Sequence, residues 1–265
     1  MIERAKMKKI YLGTNTKMYM TIERTKEYLT ELADLTKDID RSTLELFVIP
    51  SFTALDSAGK VASKSEILLG AQNMCWEDEG QFTGEISPIM LKEVGVKIVE
   101  IGHSERRSVM SETDEMENKK VLCALRHKLI PLLCIGETKA EKLLGNTEEV
   151  LRSQLRKGLK DVPRSMASMV RIAYEPTWSI GTTGQPASVE YVKCMSEVVR
   201  DELCTKFGKD AANEVAVLYG GSVNNENAVD LAGLPQLNGL FIGRSAWNAN
   251  NFNKIIRDVV SRQAR

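Results

Sequence analysis

Short runs rich in Val, Ile and Leu recur eight times along the chain, at 9–13, 46–50, 67–71, 97–101, 130–135, 170–174, 215–219 and 239–242. Runs this short and apolar fit strands buried on both faces, as inside a parallel sheet. Parallel neighbours need a crossover between them, and helical patterns separate nearly all the runs, most clearly at 21–37, 114–129, 147–159, 188–207 and 251–262. Polar cap candidates stand at their starts, such as Ser188 two residues before Glu190. Eight strand–helix repeats predict an α/β chain closed into a (β/α)₈ barrel, and 265 residues falls in the range of one such domain spanning 1–265. The competing architecture, a doubly wound open sheet, usually opens on a glycine-rich nucleotide loop. Gly13-Thr14-Asn15-Thr16-Lys17 carries neither known fingerprint.

Charge narrows the ligands. Lys+Arg and Asp+Glu both number 36, so no uniform basic surface is available for a nucleic-acid backbone or an anionic membrane. Any attraction for an anion must be local. The five cysteines, Cys75, Cys123, Cys134, Cys194 and Cys204, show neither metal-ligand spacing nor an even framework for full disulfide pairing. A reduced, cytoplasmic compartment fits them. The charged first nine residues lead into only a short apolar stretch, without a secretory h-region, and no later run reaches the length of a membrane span.

In a parallel barrel the reactive groups sit just after the strands. After the first run, Asn15 and Lys17 occupy alternate positions of an extended segment and can point to one side, with Lys17 a point charge for an anion. After the fourth, His103 stands where a helix could start, an environment that disfavours the imidazolium. A neutral imidazole can donate to a carbonyl oxygen and pass a proton between oxygens. His127, between Arg126 and Lys128 in a helical stretch, reads as a surface residue. After the sixth run, Glu175 precedes a glycine-containing loop, which reads as a general base under a lid. After the last two runs come Gly220-Gly221-Ser222 and Gly243-Arg244-Ser245, turns whose backbone N–H groups could nest a phosphate.

Taken in order, GTNTK, GAQN, GQFTGE, IGHSERR, CIGET, AYEPTW, YGGSV and FIGR resemble triosephosphate isomerase over nearly the whole chain. The resemblance implies a TIM barrel in which Glu175 is the base, His103 the electrophile, and Asn15 and Lys17 substrate-side groups. It implies that Gly181, Ser222 and Gly243 hold phosphate through backbone N–H groups, and that Glu105 orients Lys17, with Cys134 of CIGET in support. That family is itself the standing example of a glutamate base working with a neutral histidine and a closing loop. The substrate implied is a small phosphorylated sugar passing through an enediolate, in glycolysis and gluconeogenesis, with no metal or organic cofactor needed. GQFTGE resembles the family's interdigitating loop, so Thr83 is expected to enter a neighbouring subunit of a homodimer.

Three departures bear on the substrate. Thr16 stands where the family usually has tryptophan, removing a ring from the base of the site. The lid, Gly181-Thr182-Thr183-Gly184-Gln185-Pro186-Ala187, reads one residue longer than usual. Arg244 follows Gly243 where the family usually keeps a second glycine, and either adds a bidentate phosphate contact or turns outward to solvent. These departures resemble the barrel paralogues acting on erythrulose phosphates. Triose phosphate interconversion is the first expectation and isomerisation of L-erythrulose 1-phosphate or D-erythrulose 4-phosphate the alternative. A sugar-phosphate sensor without turnover would require loss of a catalytic group, and none is missing.

Overall fold

The computed structural model describes residues 9–181 and 184–263. Eight strands, β1 (Ile10–Asn15), β2 (Leu44–Ile49), β3 (Ile67–Ala71), β4 (Ile98–Ile101), β5 (Ile130–Ile135), β6 (Arg171–Tyr174), β7 (Ala216–Tyr219) and β8 (Gly239–Ile242), close in sequence order into a barrel. Every neighbouring pair is parallel, including β1 with β8. Between them run α1 (Ile22–Thr36), α2 (Leu55–Ala62), α3 (Pro88–Glu93), α4 (Ser104–Val109), α5 (Asp114–Arg126), α6 (Lys139–Leu143), α7 (Thr147–Gly158), α8 (Val189–Phe207), α9 (Lys209–Glu214) and α10 (Ala228–Ala232), and α11 (Ala249–Gln263) closes the ring.

The predicted runs locate all eight strands, with shifts at their ends. β1 continues to Asn15, two residues past its run, and β2 begins at Leu44, two before its run. The long helices form where their caps stop or start the chain. Thr21 and Ser188 accept from the N–H groups of Arg24 and Tyr191, and Thr138 with Glu141 makes a full capping box at α6. α5 ends at Arg126, short of the expected 129, because Lys128 turns to a φ of 60°.

Alternation along each strand sorts side chains between two cores. The outward set packs under the helices, and the inward set fills the barrel with Phe47, Ile98, Leu132, Ala173, Leu218 and Phe241 among others. Phe47 and Phe241 stack with ring centroids 5.8 Å apart. Gly13 lies in register with both, and a Cβ there would come 2.1 Å from the Phe47 ring, so a bare residue is needed for the aromatic pair to fit. Below this layer Arg171 pairs with Glu45 and lies 4.8 Å over the Tyr11 ring. Above it, polar groups turn inward. Among the described residues no helix is long and apolar enough to cross a membrane.

Candidate active site at the carboxyl ends of the strands

The loop after β1 is held by a side chain that mimics a turn. Asn15 Oδ1 accepts from the Lys17 backbone N–H at 2.6 Å and from Gln72 Nε2 at 3.0 Å, and Gln72 also donates to the Lys17 carbonyl. Lys17 thereby sits at φ 51°, an unfavourable region for a side-chain-bearing residue that is retained when the surroundings over-determine it. Its ammonium projects into the mouth and donates to Glu105 Oε1 at 2.6 Å. The expected Lys17–Glu105 pairing is thus a contact in the structure.

His103 caps α4, and its Nδ1 accepts from the Glu105 backbone N–H at 3.2 Å. That bond assigns the bare nitrogen to Nδ1 and the proton to Nε2, which faces Glu175 Oε2 at 3.9 Å. Burial, and then the Lys17 ammonium, lower the imidazole pKa to about 4, so the ring is neutral and the Nε2 contact is not an ion pair. The segment is fixed from behind by Arg107. Its guanidinium donates to the carbonyls of Gly102 and Cys134 and to Asp114, and pairs with buried Glu117. Gly102 runs at φ +73°, and a Cβ there would lie 2.6 Å from the Glu117 carboxyl carbon.

Glu175 follows β6 directly, its N–H still bonded to the Ile135 carbonyl at 2.7 Å. It is 3 % exposed, and its Oε2 has no hydrogen-bond partner. Burial raises its carboxyl to about 8, against the opposing pull of Lys17. A carboxylate held at a strand end, poorly solvated and next to a neutral N–H donor, is equipped to take a proton from carbon. The start of the following loop is anchored below: Trp178 Nε1 and the Tyr191 hydroxyl each donate to Glu137 Oε1 at 2.7 Å, and Lys142 sits 3.3 Å over the Trp178 ring. The expectation of a lengthened lid turns on Thr182 and Thr183, which lie outside the described residues.

Gly181, Ser222, Gly243 and Arg244 all border the same cavity of about 530 Å³ as Asn15, Lys17, His103, Glu105 and Glu175. Gly181 has φ +90°, and a Cβ at Gly181 or Gly243 would meet nothing within 4 Å, so both backbones face open space. Gly220 is bare for another reason, since a Cβ there would press 2.8 Å from Glu175 Cγ. Arg244 is exposed and, among the described residues, makes no ion pair, leaving a cation at the rim of the cavity. Thr83 does not line the cavity; it lies exposed between β3 and α3.

Two contributors escaped the sequence reading. Trp247, after β8, donates from Nε1 to the Asn15 carbonyl at 2.8 Å and packs its ring 4.6 Å from Tyr19, with both lining the cavity. An aromatic wall absent at buried Thr16 is therefore supplied from the opposite side of the β1 loop. Glu100, inside a run taken only as a strand, lies fully buried with Oε2 accepting from Asn15 Nδ2 at 2.6 Å and Oε1 3.8 Å from the Cys134 thiol. Cys134 is buried as well, and burial pushes its thiol well above the ordinary range. Glu100, Cys134 and Glu175 present ligand atoms within 4.8 Å of one another, as do Asp78, Cys123 and His127 elsewhere. The latter trio already holds a cation, since Arg126 donates to Asp78 at 2.9 Å and to Cys123 Sγ at 3.3 Å.

This geometry has counterparts. The model of the triosephosphate isomerase family matches residues 10–259. A triosephosphate isomerase from a Thermoanaerobacter species is 43 % identical over 250 residues, covering 94 % of this chain and 99 % of its own. An L-erythrulose-1-phosphate isomerase from Rhizobium etli is 42 % identical over 252 residues, covering 94 % of this chain and 92 % of its own. The crystal structure of triosephosphate isomerase from Bartonella henselae superposes with a TM-score of 0.85 at 33 % identity, covering 94 % and 98 % of the two chains. With that match running through all eight strands, the chain belongs to the triosephosphate isomerase family.

Proposed function

We propose that the chain, as one domain, interconverts D-glyceraldehyde 3-phosphate and dihydroxyacetone phosphate by proton transfer through an enediolate. The observation that carries this reading is the pairing of Glu175 with the Nε2–H of a neutral His103 at one cavity wall, 3.9 Å apart. Glu175 takes the proton from the carbon next to the carbonyl, and the electron pair moves onto the carbonyl oxygen. His103 Nε2–H and the Lys17 ammonium meet that oxygen as its charge develops, and Asn15 frames the same side. His103 then gives its Nε2 proton to that oxygen and takes one from the neighbouring hydroxyl, whose oxygen becomes the new carbonyl as Glu175 returns its proton to the neighbouring carbon. Glu105 orients Lys17. The phosphate rests on the backbone N–H groups at Gly181, Ser222 and Gly243, with Arg244 as a further cation. Such an activity belongs to glycolysis and gluconeogenesis in the cytoplasm.

A four-carbon ketose phosphate is the second reading. Arg244, unpaired at the rim, and the similarity to an L-erythrulose-1-phosphate isomerase both favour it. Rates measured side by side on both triose phosphates, L-erythrulose 1-phosphate and D-erythrulose 4-phosphate separate the two: inert trioses reject the first, inert tetruloses the second. A homodimer completes the proposal. Exposed Met18 and Tyr19 after β1, Phe82 and Ile89 after β3, and Val109 and Met110 after β4 leave apolar surface on one side of the mouth, with Thr83 among them. Sedimentation at micromolar concentration should give twice the monomer mass, and a monomer would reject it.

A further inference from the structure

Glu100 is a carboxyl group in the interior of the barrel, on the inward face of β4 one step above Ile98. Among the described residues, the charged or titratable groups acting on it belong to the site: Lys17 comes from the β1 loop, Glu105 from α4, Cys134 from β5 and Glu175 from the end of β6. Glu100 and Glu175 have oxygens within 4.8 Å of each other, with the Cys134 thiol at the same distance or less. Two ionised carboxylates cannot share so small a dry space, because each loses hydration and repels the other. Lys17 does not neutralise both, since its ammonium is already bonded to Glu105. One of the two therefore keeps its proton.

The contacts decide which. Glu175 borders the cavity, where ligand and water reach it. Glu100 is fully buried, accepts from Asn15 at Oε2, and has the Cys134 thiol 3.8 Å from Oε1. Burial, and then Glu175, push it well above the ordinary carboxylate range. Resting on the reading of Glu175 as base, we propose that Glu100 is a positioning residue, a carboxyl that stays protonated, holds Asn15 in place, and leaves Glu175 the one member of the buried pair to ionise. Asn15 in turn sets the φ of Lys17 through its Oδ1, so one hydrogen bond beneath the mouth of the barrel orients two substrate-side groups.

Infrared difference spectroscopy on the whole enzyme at pH 7 tests the protonation without turnover. Wild type minus E100Q should contain the carbonyl band of one protonated carboxyl, and should still contain it at about pH 10, where Glu117 and Glu175, each raised only to about 8, have ionised and Glu100 alone can carry the band. No such band overturns the proposal, even if every sugar phosphate is turned over. A band with no turnover of any sugar phosphate leaves it standing and removes only the reading of the reaction. Kinetics test the positioning. E100Q, neutral and of the same shape, should keep the acid limb of kcat/KM in place, whereas a drop of that limb by about one unit would mean that an ionised Glu100 had been removed. E100V leaves the Asn15 N–H without its partner and should lower kcat by about tenfold with a smaller change in KM. An E100V kcat equal to wild type overturns the positioning role, and if E100V does not fold, the infrared arm still decides.

Discussion

At the amino ends of the strands Arg171 pairs with Glu45 and lays its guanidinium over Tyr11. At the carboxyl ends Glu100 and Glu175 share a buried space with a thiol, and the nearest ammonium, Lys17, bonds to Glu105 instead. The barrel interior is charged at both ends, but only the lower charges are matched to each other. The lower pair serves the fold, since each charge would be costly if left alone. The upper groups are buried and under-compensated, which raises the Glu100 and Glu175 carboxyls, while burial and then Lys17 lower the His103 imidazole, moving Glu175 and His103 toward the proton affinities that enolisation needs. Stability and reactivity are thus segregated along one barrel axis, with the Phe47–Phe241 layer between them.

Breaking the upper end should cost activity and little stability. Glu175→Gln removes the proposed base, and kcat should fall by roughly 10³–10⁴-fold while the melting temperature at pH 7 does not drop. Retreat by one methylene in Glu175→Asp should lower kcat by about 10²-fold, far more than it raises KM. Breaking the lower end should do the reverse. Arg171→Met leaves Glu45 at the floor with only the half-exposed Lys9, 3.6 Å away, and denaturant titration should show a loss of about 3 kcal/mol, with kcat on folded protein unchanged. A large fall in kcat for Arg171→Met would show that the two ends are not independent.

Titration sharpens the same contrast. The acid limb of kcat/KM should lie above the ordinary carboxylate range, toward about 8, because burial raises Glu175. The limb should show no histidine inflection between pH 5 and 8, because His103 is lowered to about 4. Stability follows with a definite sign. A carboxyl raised in the folded state favours folding in its protonated form, so its contribution is full below the ordinary carboxylate pKa and is lost as pH rises through about 8. Melting temperatures taken from pH 5 to 9 should therefore fall less steeply for Glu175→Gln than for wild type. Parallel curves would mean that Glu175 is not raised.

The barrel itself was largely legible in the sequence, because it follows from strand periodicity, whereas its lower ion pair was not, since Glu45 precedes the run 46–50 and Arg171 reads only as a polar interruption of the run 170–174. Eight apolar runs marked the strands, and Thr21 and Ser188 marked two long helices through their caps. The upper end was legible where a residue stands alone after a strand, as Glu175, His103 and Lys17 do. Glu100 was not, since it sits within the run 97–101 and reads there as a polar interruption; its meaning depends on Asn15, 85 positions away. The usable signal was a carboxylate on the inward phase of an otherwise apolar strand, one residue before its end. Trp247 was hidden for the same reason: its partner, Asn15, lies 232 positions away and is joined to it only by closure of β1 against β8. Helices such as α4, α6 and α10 are five or six residues long, too short for periodicity to register.

The smallest expected effect lies at the rim, where neither logic holds fully. Arg244 is exposed, unlike Arg171, Glu100 and Glu175, yet among the described residues no carboxylate pairs with it. A guanidinium without an ion-pair partner is available to an anionic ligand without first breaking an ion pair, and water screens it at the rim. Arg244→Ala should therefore raise KM for the phosphorylated substrate by about three- to tenfold and leave kcat within about twofold, the pattern of a contact made equally in ground and transition states. The increase should shrink as ionic strength rises. If Arg244 serves the longer ketose, the same substitution should raise KM for the erythrulose phosphates more than for the trioses. Equal increases on all four sugars would make Arg244 a general phosphate contact and assign the choice of chain length to other walls of the cavity, where Tyr19 and Trp247 stand.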